Sequence, residues 1–174
     1  MKNLSGFIYI AFLIMLTSAC SSSKKVTTSM AEPEKVETVL VGDLKYTDII
    51  STLPRWEEQD KQAELNPAEV EQLSKVARKI EVVCYLGTWC PDSRGAVPQF
   101  TRSLELAENP NISYRIIGLN RDKDDPPAHL ALQNDIQRVP TFVIYENEAE
   151  IGRLIEYPVQ ENFVLDILEL LSSK

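Results

Sequence analysis

Val82-Val83-Cys84-Tyr85-Leu86 is an unbroken stretch of strand-forming residues, and it stops at Gly87. A strand this apolar on both sides belongs in the middle of a sheet rather than at its edge. Shortly after the glycine, Cys90-Pro91-Asp92-Ser93 has the layout of a helix start, with Cys90 at the N-cap, Pro91 first and Asp92 second, and the helix runs to about Glu108. A cysteine in that place turns its sulfur toward free backbone N–H groups and the positive helix end, which favour the thiolate. Cys90 is therefore the candidate reactive thiol. Arg94 shares that helix face and either assists or is a solvated charge, while Asp92 opposes it. The Ser93 hydroxyl either donates to the thiolate or is merely a polar helix-start residue, and it cannot attack a mixed disulfide as a second thiol would.

Asn66-Pro67-Ala68-Glu69 opens a helix over 67–79, with Val70, Leu73, Val76, Ala77 and Ile80 at helical spacing. Ile112 to Leu119 reads as a second buried strand and Pro127 to Asp135 as a short helix. Thr141 to Tyr145 and Glu150 to Ile155 form a hairpin about Glu146-Asn147-Glu148, and Glu161 to Leu171 is a last amphipathic helix. Upstream, Val36 to Val41 reads as a short strand. Between Asp43 and Gln62, Leu44, Ile49, Ile50, Leu53 and Trp56 make an apolar stripe broken by Pro54, with Trp56 as a packing residue. From residue 67 the order is αβαβαββα, which predicts an α/β fold: a mixed sheet with helices on both faces. Residues 67–174 are the expected domain and 38–66 its N-terminal extension.

The chain begins as an exported one. Lys2 is followed by an uncharged, mostly apolar run from Leu4 to Leu16, and then by the small residues Thr17-Ser18-Ala19 before Cys20. Thirteen helical residues rise about 20 Å, short of the ~30 Å hydrocarbon core, which favours a signal peptide over 1–19 rather than an uncleaved anchor. The end from Leu16 to Cys20 resembles a bacterial lipobox, which implies cleavage before Cys20 and a lipid on that cysteine; an ordinary cleaved signal is the alternative. Residues 20–37, rich in Ser, Thr, Lys and Glu, read as a flexible tether. The expected location is the cell envelope, lipid-anchored to a membrane and facing the periplasm. With Cys20 acylated, Cys84 and Cys90 are the remaining thiols, in a compartment where disulfides form.

A formal net charge of -8 argues against a nucleic-acid role, since no run of Lys or Arg is longer than a pair such as Lys24-Lys25. One histidine and three cysteines at 20, 84 and 90 do not make a zinc site, and no other cofactor is implied. His129 reads as a surface residue, and the acidic loop Asn120 to Pro127 lacks calcium-loop spacing.

The segment Tyr85-Leu86-Gly87-Thr88-Trp89-Cys90-Pro91-Asp92-Ser93 resembles the active site of thioredoxins, a Trp-Cys-x-x-Cys pattern after a central strand. Pro98 matches the proline within the family's active-site helix, and Gly152 falls where the family places a glycine in its last strand. Val139-Pro140-Thr141 resembles the family's cis-proline loop, which packs beside the nucleophile and binds substrate peptide through the preceding residue's backbone. The resemblance covers roughly residues 67 to 171 and implies a thioredoxin-like fold, with Cys90 and Ser93 at the catalytic positions and Trp89, Val139 and Pro140 facing substrate. Two departures stand out. Ser93 replaces the second cysteine, and Cys84 stands where thioredoxins often hold a buried aspartate. Cys84 is a buried hydrophobe or, as the lesser alternative, an accessory thiol that pairs with Cys90.

The expectation is a monothiol thiol-disulfide oxidoreductase or isomerase of the envelope. Its partners would be protein thiols or disulfides and an external thiol reductant that releases the mixed disulfide. The rival is a non-catalytic thioredoxin-fold module that holds an envelope protein. A one-cysteine peroxidase is a weaker third, because Thr88 lies two residues before Cys90 and the proline usual in such sites is absent.

Overall fold

The computed structural model describes residues 38–173. The expected signal peptide, Cys20 and the tether lie outside those residues. Five strands form one sheet in the order β1-β3-β2-β4-β5: β1 Gly42–Leu44, β2 Ile80–Leu86, β3 Ile112–Gly118, β4 Thr141–Glu146 and β5 Ala149–Ile155. The apolar run that opened the sequence is the central strand. It pairs in parallel with β3 and antiparallel with β4, so the sheet is mixed as expected. The helices are α1 Tyr46–Thr52, α2 Pro54–Gln62, α3 Pro67–Ser74, α4 Pro91–Ala107, α5 Leu130–Gln133 and α6 Phe163–Ser172.

Side chains alternate across a strand, and β2 divides its residues between two cores accordingly. Ile80, Val82, Cys84 and Leu86 face one, built with Ile49 and Trp56 of α1 and α2, Leu73 of α3, Phe100 of α4 and Ile167 of α6. Val83 and Tyr85 face the other, with Ile117, Ala131 of α5, Ile136, Val139 and Cys90. Helices therefore cover both faces, but unequally: one short helix stands opposite five. Phe142 of β4 is fully buried beneath the larger group, its ring 4.7 Å from Phe100 and 4.6 Å from Phe163 between centroids.

Three element boundaries differ from the sequence reading. Of the strand expected over Val36 to Val41, residues 36 and 37 lie outside the described residues; the first described strand is Gly42–Leu44, where the chain meets β3 with Gly42 opposite Gly118 and Leu44 opposite Ile116. Residues 38–41 are not strand, and the Leu40 N–H is taken by the Thr88 hydroxyl instead. The helix expected over 67–79 stops at Ser74, where the buried Asn109 amide donates to the carbonyls of Leu73 and Val76 and ends the ladder. The helix expected over Pro127 to Asp135 shrinks to Leu130–Gln133, since the left-handed His129 (φ 53°) precedes it. At Pro54 the apolar stripe breaks into α1 and α2 as expected.

Two long-range contacts bind α6 to the rest. At its start, the Asn162 side chain accepts from the Leu165 N–H and donates to the buried Glu69 carboxylate of α3. At its end, Arg78 donates to the Leu171 carbonyl while its guanidinium grips Glu146. β5 reaches α6 at Gly152, where a Cβ would lie 2.8 Å from a Leu170 methyl.

Candidate functional site

β2 ends at Leu86, and four residues later the chain enters α4 with Cys90 at the N-cap and Pro91 first, as the sequence layout required. The sulfur's direction differs from expectation. The side chain makes no capping bond; its thiol instead faces the Val139 carbonyl at 3.5 Å and is 5 % exposed. The nucleophile candidate and the Val139-Pro140 loop, fifty residues apart, are thus in contact, and that loop's peptide bond is cis. The Glu156 N–H donates to the Pro140 carbonyl at 2.7 Å, and Arg138 and Glu156 form an ion pair, which ties the loop to the end of β5.

Ser93 is fully buried on the first turn of α4, and its hydroxyl accepts from the Gly87 N–H at 3.3 Å. Of the two readings of Ser93, donation to the Cys90 thiolate and a polar helix-start residue, this bond bears on the second: the hydroxyl holds the turn before the helix. Trp89 is half-buried: its indole N–H donates to the Leu119 carbonyl at 3.0 Å, and the Arg121 guanidinium lies 5.3 Å from the ring centroid. Gly87 makes that pose possible, because a Cβ there would come within 2.7 Å of the ring.

Cys84 lies on the other side of the sheet. It belongs to the larger core while Cys90 belongs to the smaller one, so the central strand itself separates the two thiols. Burial pushes the Cys84 thiol well above its ordinary pKa. A group that stays neutral in the fold but ionises when unfolded contributes its full stability below the ordinary thiol pKa of about 8.5, and that contribution falls as pH rises above it, by up to about 1.4 kcal/mol per unit. Urea unfolding at pH 7.5 and 9.5 is expected to show this loss, and Cys84→Ala to lessen it. An equal loss in the variant would refute the assignment.

Some residues beside Cys90 carried no signal in the sequence. Trp56, expected only to pack, donates its indole N–H to the Thr88 carbonyl at 2.9 Å. Tyr157, 62 % exposed, has its phenol pushed up chiefly by Asp92, then by Glu156, with Cys90 a smaller contributor. His129 is half-exposed and pairs with Asp124 at 2.8 Å. Among the described residues, no group of three His, Cys, Asp or Glu side chains can hold a metal, and no helix is long and apolar enough to cross a membrane. Two clefts, of about 300 and 210 Å³, lie beside Tyr46 and Tyr114 and beside Tyr85 and Tyr145; neither is lined by Cys90, Trp89 or Pro140.

No curated protein matches this sequence. Among solved structures, the chain is similar to an HIV epitope-scaffold at 16% identity and TM-score 0.57, over 78% of this chain and 94% of that one. It is also similar to a protein of unknown function from Pseudomonas aeruginosa at 18% identity and TM-score 0.52, over 73% of this chain and 84% of that one. At such identities the likeness is one of fold. A thioredoxin family profile matches residues 46–167, most of the chain, and with the mixed sheet and its helices it places this protein in the thioredoxin family.

Proposed function

We propose that the chain is a monothiol thiol-disulfide oxidoreductase or isomerase of the cell envelope, held to a membrane by a lipid on Cys20. The observation that carries this reading is the 3.5 Å approach of the Cys90 sulfur to the Val139 carbonyl, which joins a helix-start cysteine to the Val139-Pro140 loop. Deprotonated Cys90 attacks one sulfur of a partner disulfide, forms a new S–S bond, and expels the other sulfur as a thiolate. A different thiol of the partner, or an external thiol, then attacks the partner's sulfur in the mixed disulfide and returns Cys90 to its thiolate. In the first case a disulfide is rearranged with no net electron transfer; in the second the external thiol supplies the electrons and is itself oxidised. Ser93 cannot perform the second attack, and Cys84 lies across the sheet. Release therefore falls to a thiol from outside the domain.

One observation favours a module that binds without turnover: at 5 % exposure, Cys90 meets few approaching groups until a partner or the Val139 loop shifts. Trapping separates the two readings. Thiols in an intact envelope are blocked with N-ethylmaleimide, and species joined to the chain are identified by mass spectrometry before and after dithiothreitol. Partners released by dithiothreitol and lost with Cys90→Ala are expected. Partners kept equally by Cys90→Ala would favour the binding module, and none in either case would overturn both readings.

A further inference from the structure

Gly87 to Cys90 form a four-residue turn, closed by the Cys90 N–H on the Gly87 carbonyl at 2.9 Å. Its middle peptide, between Thr88 and Trp89, carries the Thr88 carbonyl on one edge and the Trp89 N–H on the other. Rotation of that peptide is what interconverts the two common turn types, and the rotated form needs positive φ at its third residue, which a tryptophan resists. Here the carbonyl is held from outside the turn, by the indole N–H of Trp56 at 2.9 Å. Trp56 is 1 % exposed and Thr88 is 1 % exposed, so water does not compete for this bond. The Thr88 hydroxyl is also engaged, accepting from the Leu40 N–H at 3.1 Å. Both polar groups of the residue two before Cys90 are thus taken by the segment preceding α3.

We infer that Trp56, seconded by Leu40, is a positioning residue for Cys90: it pins the Thr88–Trp89 peptide and thereby sets how the cysteine meets the start of α4. Leu40 also passes close over the end of β3, where a Cβ on Gly118 would lie 2.6 Å from its carbonyl. The segment before α3 is in this way a brace on the active-site turn and more than a cover for the core. The inference rests on the reading of Cys90 as the nucleophile and adds the element that orients it.

The test is the pH profile of Cys90 alkylation by iodoacetamide in the full chain, followed by intact mass and compared with Trp56→Phe and Thr88→Val. The first variant keeps a ring in the core and removes the N–H; the second keeps the volume and removes the acceptor for Leu40. Urea unfolding of each is measured alongside. Cys90 makes no capping bond, so what the turn sets is how near its sulfur lies to the positive end of α4. A loosened turn moves the sulfur away from that end, and the alkylation midpoint is expected to rise by about half to one pH unit in Trp56→Phe, or about three- to tenfold less thiolate below it, with a smaller rise in Thr88→Val. Variants that lose stability but keep the natural profile, or that move it downward, would show Trp56 to be packing only. If Trp56→Phe does not fold, Thr88→Val decides. A natural chain whose Cys90 titrates like a free cysteine would sink the nucleophile reading, while the comparison with the variants would still decide the role of Trp56.

Discussion

Ser93→Cys is expected to create an internal disulfide with Cys90 and to raise dithiol-dependent reduction of insulin well above that of the natural chain. The two positions are three apart on the first turn of α4, where side chains on one face lie about 5–6 Å apart, and small adjustments bring sulfurs there into bonding range. Ser93 is fully buried and accepts from the Gly87 N–H, so an introduced sulfur would sit under the turn, shielded from outside thiols but open to Cys90. Its attack on a Cys90 mixed disulfide would be intramolecular and would outrun release by an external thiol. The check is intact mass after mild oxidation, which should fall by two hydrogens, together with turbidity from reduced insulin. A variant that keeps both thiols free under oxidant would mean that Cys90 does not face the first turn of its own helix.

Phe142→Ala is expected to lower stability by about 3–5 kcal/mol, the usual cost of truncating a buried aromatic. Two ring contacts, to Phe100 on α4 and Phe163 on α6, are lost together, and β4 loses its main hold on both helices. Domains of this size have roughly 5–15 kcal/mol in total, so the loss takes about a fifth or more and should lower the melting temperature by about 10–15 °C. Phe142 pairs across the sheet with Cys84 and lies two residues past Pro140, so the same change should also loosen the Val139 loop. Urea and thermal melts measure the first effect. A cost under about 1 kcal/mol would mean that the two helices repack over the gap.

Much of the fold follows from local chemistry that is visible residue by residue. Asn66-Pro67 caps α3 with an Asn side chain accepting from the Ala68 N–H, and the run from Val82 to Leu86 lies at the sheet's centre. Cys90-Pro91 starts α4. Each of these depends on a few neighbouring side chains. What escaped reading depends on partners far along the chain. A three-residue strand such as β1 has no periodicity and exists only where β3 receives it. The early end of α3 is decided by Asn109, more than thirty residues away. Trp56 looks like any core tryptophan until the Thr88 carbonyl that meets its N–H is located. At the site, the Cys90 position was legible but not its rotamer, because the Val139 carbonyl competes with the helix N–H groups for the thiol.

The two clasps on α6 bear on how such a chain comes to be folded. Asn162 to Glu69 and Leu171 to Arg78 each span 93 residues, and Phe163 and Ile167 complete the larger core. Contacts of that separation require most loop entropy to be spent before they repay it, so they form late. A chain delivered N-terminus first through a narrow channel would hold β2, α4 and Cys90 in an incomplete core until its final ten or so residues arrive. During that interval the Glu69 carboxylate would lack Asn162 and the Arg78 guanidinium the Leu171 carbonyl. In a chain so delivered, the sheet that carries Cys90 would gain its full backing only at the end, when the last helix completes the core on the opposite face.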